Sequence, residues 1–221
     1  ALQNNTTASN SVAVGRQALR ANTVGANHTA TGYQALYSNT TGNQNVASGY
    51  QALYATTTGS SNTASGEAAM KNNTTGTENT AVGQIALYNN TTAINNTAVG
   101  RKALFSNTTA NHNTAIGVLA GDTITTGDAN ICVGYDADCG STTIHSITIG
   151  VNISAIGDHH FTFGQASNRV YNQFTSNASW TRSSDVRLKK DIQTNADLGL
   201  GFINDLRTVT YKWKAPSELD T

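Results

Sequence analysis

The stretch NTAVGRKALFSNTTANH, residues 96–112, carries the pattern that decides the fold. Read outward in both directions, its glycine recurs at Gly15, Gly32, Gly49, Gly66, Gly83, Gly100, Gly117 and Gly134, at a constant spacing of 17 residues. Two residues before these glycines stand Ala13, Ala30, Ala47, Ala64, Ala81, Ala98 and Ala115, with Cys132 in the eighth copy. Three residues after them stand Ala18, Ala35, Ala52, Ala69, Ala86, Ala103, Ala120 and Ala137. The next position is Leu19, Leu36, Leu53, Met70, Leu87 and Leu104, then Gly121 and Asp138 in the last two copies. Self-similarity at one fixed period marks a stacked, quasi-one-dimensional architecture.

A unit of 17 residues is too short for a helical hairpin and long enough for two short strands and two turns. Each unit therefore predicts one coil of a parallel β-solenoid, and the fold class is all-β. Alternation over Asn96 to Gly100 sends Ala98 to one face and Thr97 and Val99 to the other. A second strand is expected to carry Ala103 and Leu104. The segments Asn39 to Gly42 and Asn73 to Gly76 have turn chemistry, since Asn side chains mimic backbone turns and Gly accepts positive φ.

Strand spacing of about 4.8 Å makes eight coils a rod on the order of 35 to 40 Å long, with equivalent residues in columns. An alanine at every level lets two layers, or two chains, approach closely, and a bulky replacement wedges them apart. Each coil offers only one or two medium apolar side chains, a thin core at roughly 25 cal/mol per Å² buried. Self-association with closed symmetry is the expected remedy.

Composition agrees with a shared core. Charged residues make up 12% of the 221 residues, about half of what soluble domains carry. The net charge is zero, which gives no electrostatic footprint for nucleic acid or anionic lipid. There is no run of 18 or more apolar residues, so no membrane insertion is expected. The chain begins at Ala1 with neither a basic nor an apolar leader segment, and it reads as a fragment of a longer chain. Cys132 and Cys139 form no zinc pattern; two free thiols or a small local bridge both fit them.

The spacing contracts after Gly134, to Gly150 and Gly164, where isoleucines accumulate, and FTFG at 161–164 followed by NRVYNQF reads as strand. Residues 1–140 are thus expected to form the repeat domain and residues 141–180 a β-rich end piece. His159 and His160 are adjacent, so only one of them can point to an axis on a strand; no metal and no cofactor are expected. Between Trp180 and Thr221 lie 13 of the 26 charged residues, with Leu198, Phe202, Ile203 and Leu206 at helical spacing and Val209, Tyr211 and Trp213 alternating. A small α+β element is expected over residues 181–221.

The repeated NTAVG and NTAIG units resemble the head repeats of trimeric autotransporter adhesins of the YadA-like kind, over about residues 5 to 165. That resemblance implies a left-handed parallel β-roll in a homotrimer. The family's repeat is a few residues shorter, so the additional Asn-Thr-Thr turn is expected to bulge outward. The sequence SSDVRLKKDI, residues 183–192, followed by FINDLR and YKWK, resembles the start of the endosialidase-type intramolecular chaperone found at the C-termini of phage tail fibres and tailspikes. It implies a segment that assists trimerisation and then cuts itself away, with Ser184 as nucleophile, Asp185 after the scissile bond and Lys189 as proton acceptor. A helix cap at Ser183 or Ser184 is the competing structural use of these residues. The family's domain runs many tens of residues beyond Thr221, so only its N-terminal part is expected here.

These readings converge on a structural, receptor-binding phage tail fibre in the virion, with a host surface receptor, a glycan among the candidates, and other tail proteins as partners. A bacterial surface adhesin and the carrier rod of a polysaccharide-acting tailspike are the alternatives. Tyr37, Tyr54, Tyr88 and Phe105 recur at the repeat spacing, interrupted by Lys71, and are candidates either for stacking on sugars or for packing on one another. Glycan hydrolysis wants paired carboxylates, and residues 1–120 hold only Glu67 and Glu78 as acids, in different coils.

Overall fold

A computed structural model describes residues 1–175 and the backbone of 181–182. The chain falls into two compact units, Ala1–Ser183 and Ser184–Thr221, and the description that follows is of the first. Seven strands of three residues recur once per coil: β1 Val12–Val14, β2 Thr29–Thr31, β3 Val46–Ser48, β4 Thr63–Ser65, β5 Thr80–Val82, β6 Thr97–Val99 and β7 Thr114–Ile116. They continue into β8 Ile131–Val133, β10 Ile147–Val151 and β12 His160–Gln165, each parallel to the strand before it in the stack. Register follows the repeat, pairing Ala30 with Ala47, Ala81 with Ala98 and Ala115 with Cys132. The two-residue strands β9 Ala137–Asp138 and β11 Ile153–Ser154 form a second, small parallel sheet.

The contracted spacing after Gly134 leaves the sheet unbroken: β8, β10 and β12 stack directly, Cys132 on Thr148 and Thr148 on Thr162. There the chain reverses. β13 Asn168–Gln173 runs antiparallel to β12, and β14 Thr181–Arg182 pairs antiparallel with β13. An antiparallel finish gives the backbone groups of β12 their partners, where an eleventh parallel rung would otherwise be required.

The expected second strand at Ala103 and Leu104 is a correction. In the repeating coils this segment is a chain of tight turns with left-handed residues at alternate positions, Lys102 at φ 62° and Leu104 at φ 51°. Its backbone still bonds to both neighbours: Lys102 N–H donates to the Gln84 carbonyl at 3.1 Å, and Leu104 N–H to the Ala120 carbonyl at 3.0 Å. The winding turns both neighbouring side chains inward, so Ala103 and Leu104 are wholly buried, which a strand's alternation would not allow. Left-handed backbone costs an L-residue roughly 1–2 kcal/mol, about what burial of a leucine returns, which is why neither Gly nor Asn announces the turn.

The alanine columns lie inside the single chain. Ala30, Ala47, Ala64, Ala81, Ala98 and Ala115 are fully buried, as are Ala18, Ala35 and Ala52, while Ala13 in the first coil is partly buried. Their small size brings the two walls of one coil together, with the Leu and Met column between them. The repeat glycine is fixed by stacking as well as by backbone shape: at Gly83, φ is +135° and an added Cβ would meet the Gly100 carbonyl oxygen at 2.5 Å.

The Asn-Thr-Thr turn does not bulge. Its asparagine points into the core, and Asn22, Asn39, Asn73, Asn90 and Asn107 are fully buried. From Asn39 onward each amide passes a hydrogen bond to the coil before it, Asn90 to Asn73 at 2.8 Å and Asn107 to Asn90 at 3.0 Å. The following threonine hydroxyl donates to the carbonyl of its equivalent one coil on, as Thr74 to Thr91 at 3.0 Å. A second column, Asn45, Asn62, Asn79, Asn96, Asn113 and Asn130, accepts the backbone N–H of the next coil through Oδ1. The longer repeat is therefore accommodated by internal amide ladders, and burying these amides is tolerable because they are hydrogen-bonded.

Candidate functional site

Two surfaces of the solenoid carry side chains that the core does not consume. The first is the outward face of the large sheet. Alternation that buries Ala81, Ala98 and Ala115 exposes Val82, Val99 and Ile116, and the same column continues through Val133, Ile149 and Phe163. Toward the C-terminal end of the sheet the neighbouring column also turns apolar, from Thr97 and Thr114 to Ile131, Ile147 and Phe161. Val99 is 36% exposed, Ile116 44% and Phe163 41%, so these rungs form a contiguous apolar strip.

The second surface is the corner that follows each repeat glycine. Tyr37 and Tyr54 stack with centroids 5.1 Å apart and planes 11° apart, and Tyr88 stacks on Phe105 at 5.5 Å. Cations join the column: the Arg20 guanidinium lies over Tyr37 and donates to its hydroxyl at 2.6 Å, Lys71 lies over Tyr88, and Lys102 lies over Phe105. The structure therefore brings the four predicted rings into two stacked pairs, with Lys71 in the interruption. Neighbouring rings and cations occupy ring faces along this column, so ring edges and hydroxyls are what it chiefly offers outward.

Sequence reasoning missed the companion columns at the same corner. Tyr33 stacks on Tyr50 at 5.4 Å beneath Arg16, and Gln17, Gln34 and Gln51 form an amide chain with links of 2.9 and 2.8 Å. The signal was present, since these residues stand one and two places after the repeat glycine at the same period. A corner of hydroxyls, guanidinium groups and carboxamides can hydrogen-bond a hydroxyl-rich ligand without performing chemistry on it.

No acid–base constellation accompanies either surface. Asp122 is pushed above the usual carboxylate range by burial and then by the charges of Asp138 and Asp136, while the Thr123 hydroxyl donates to Asp138. Among the described residues no group of three or more His, Cys, Asp or Glu side chains is arranged to hold a metal. His145 and His159 stack on each other at 5.1 Å, and His160 leans on Tyr171. Ser184, Asp185 and Lys189 lie outside the described residues, as do the helical and alternating segments expected between 197 and 213.

The second unit, rather than the solenoid, carries the similarity to known proteins. The family model described as the chaperone of endosialidase matches residues 184–221, starting at the serine singled out above. Fold and match together define a parallel β-solenoid followed by a segment similar to the chaperone of endosialidase. No curated protein and no solved structure matches the chain.

Proposed function

We propose that the chain is the rod of a homotrimeric phage tail fibre, displayed on the virion and directed at a host-surface receptor. The observation that carries this reading is the match of residues 184–221 to the chaperone of endosialidase immediately after a solenoid. In such proteins the chaperone segment is implied to gather three chains and then to release itself. The apolar strip on the sheet supports self-association: copies meeting through Val99, Ile116, Ile131 and Ile149 cover side chains that one chain leaves in water. The YadA-like repeat adds the left-handed roll and threefold packing by resemblance. The corner with Tyr37, Tyr54, Tyr88 and Phe105 then faces outward and is the surface assigned to the receptor, a glycan in the simplest case.

Release follows Ser-Lys chemistry. The Ser184 hydroxyl needs a base, and Lys189 serves once burial or the nearby charges of Arg187 and Lys190 depress its pKa so that a neutral fraction exists. Burial completed only on assembly makes cleavage report correct folding.

Sedimentation equilibrium and intact mass test both halves. The chain is expected at three times its monomer mass, and Ile116→Lys is expected to dissociate it while far-ultraviolet circular dichroism is retained. An unsubstituted chain that sediments as a folded monomer sinks the proposal. In a chain extended through the whole chaperone segment, a break beside Ser184 is expected and Ser184→Ala removes it; identical fragments from that variant dismiss Ser184 as nucleophile.

A further inference from the structure

The eighth coil is built differently from the others. In the first six, the interior beside the strand alanine is filled by Leu19, Leu36, Leu53, Met70, Leu87 and Leu104. In the eighth, the leucine position is Asp138, which accepts a hydrogen bond from Thr123, and the strand alanine is Cys132. Cys139, just after β9, turns inward and brings its Sγ to 2.7 Å from that of Cys132. Both sulfurs are shut off from solvent, with Cys132 at 0% and Cys139 at 1% exposure. Their nearest polar neighbours are the Ile131 and Ser146 carbonyls and the Thr148 hydroxyl, all in contact with Cys139. Two thiols thus face each other across one coil, from a strand and from the turn segment seven residues on, where a cystine takes the space of the missing leucine.

We propose that Cys132 and Cys139 form an intrachain disulfide that clasps the eighth coil, and that the bond is made before the coil closes. The partners are within reach of bonding geometry, in which sulfurs sit ~2.05 Å apart, with no rearrangement of the fold. In the closed coil an oxidant has no path to either sulfur. The attacking species is a thiolate, and the Cys132 thiol is held well above its ordinary pKa by its hydrogen bond with Cys139 and by burial. Oxidation therefore belongs to the open coil. One cysteine thiolate attacks a small-molecule disulfide such as oxidised glutathione, forming a mixed disulfide and expelling one reduced thiol. The second cysteine thiolate then attacks the protein sulfur of that mixed disulfide and expels the other. Two protons and two electrons leave the protein, and the oxidant is reduced to two thiols. Once closed, the coil protects the bond from reductants by the same burial.

The test uses the whole chain synthesised cell-free in buffers of oxidised or reduced glutathione, with Cys132→Ala as a control that restores the alanine of the seven preceding coils. Free thiols are counted after denaturation, and the bridge is mapped by mass spectrometry of unreduced peptides. The oxidised product is expected to have no free thiol, a Cys132–Cys139 peptide, and a melting temperature roughly 5–10 °C above that of the reduced product. Cys132→Ala is expected to melt at the same temperature in both buffers. Adding oxidant to the folded, reduced chain is expected to leave two thiols titratable. Two free thiols after synthesis in the oxidising buffer, or a bond joining different chains, overturn the proposal.

Discussion

Asn79 is the place to measure what the amide ladder contributes. Its Nδ2 donates to the Ala93 carbonyl at 2.8 Å and to Asn62 at 3.2 Å, and its Oδ1 accepts the Asn96 backbone N–H at 3.0 Å. Asn79→Ala strips a partner from a buried backbone carbonyl and a buried backbone amide in adjacent coils. Each orphaned group costs about 1–3 kcal/mol, so the substitution is expected to destabilise the fold by about 2–6 kcal/mol. For a chain of this length that is a fall in melting temperature on the order of 10 °C, read by circular dichroism during heating. Hydrogen exchange adds a local reading, because the Asn96 amide is expected to lose protection before its neighbours. Thr92→Ala, an exposed position in the same coil, is the control and is expected to stay within about 0.5 kcal/mol. If Asn79→Ala melts with the control and Asn96 keeps its protection, the ladder is not what supports the coils.

Two further outcomes follow from the same columns. Thr56 stands where other coils place the inner asparagine, and the Oδ1 of Asn39 is left without a donor; Thr56→Asn is expected to stabilise by about 1 kcal/mol in denaturant unfolding. His28 occupies the second column, fully buried, with Nδ1 accepting the Asn45 N–H at 3.2 Å. Burial holds its pKa below the ordinary 6.5. The unfolded chain thus binds this proton first, so the contribution of neutral His28 to stability is fully present above about pH 6.5, declines as pH drops toward the folded pKa, and is gone below it. His28→Asn is expected to flatten that part of the stability profile, and a slope unchanged by the substitution refutes the assignment.

The corrections share a cause. Periodicity told which residues are equivalent, and so placed the columns, the parallel register and the small interior residues correctly at Ala98 and Ala103. It carries no handle on backbone handedness at a residue such as Leu104, whose left-handed turn is offset by burial rather than signalled by glycine. Nor could it tell an asparagine that caps its own turn from one like Asn90, which reaches into the core to bond Asn73, because the two uses share residue type and neighbours. The aromatic corner was half legible: Tyr37 and Tyr54 were found by spacing, while Tyr33, Tyr50 and the glutamine chain were equally periodic and passed over.

The amino-acid sequence alone determined that this protein is a stack of coils with alanine columns, since a repeat of constant length can bury identical side chains only by superimposing them. It also carried, in SSDVRLKKDI, the start of the segment that matches the chaperone of endosialidase. Only the tertiary structure decided where the polar half of each coil goes: amides and hydroxyls link coil to coil, inside as well as outside. It decided too that two cysteines seven residues apart meet across the interior. Both outcomes depend on distances between neighbouring walls of the coil, which a one-dimensional period does not encode.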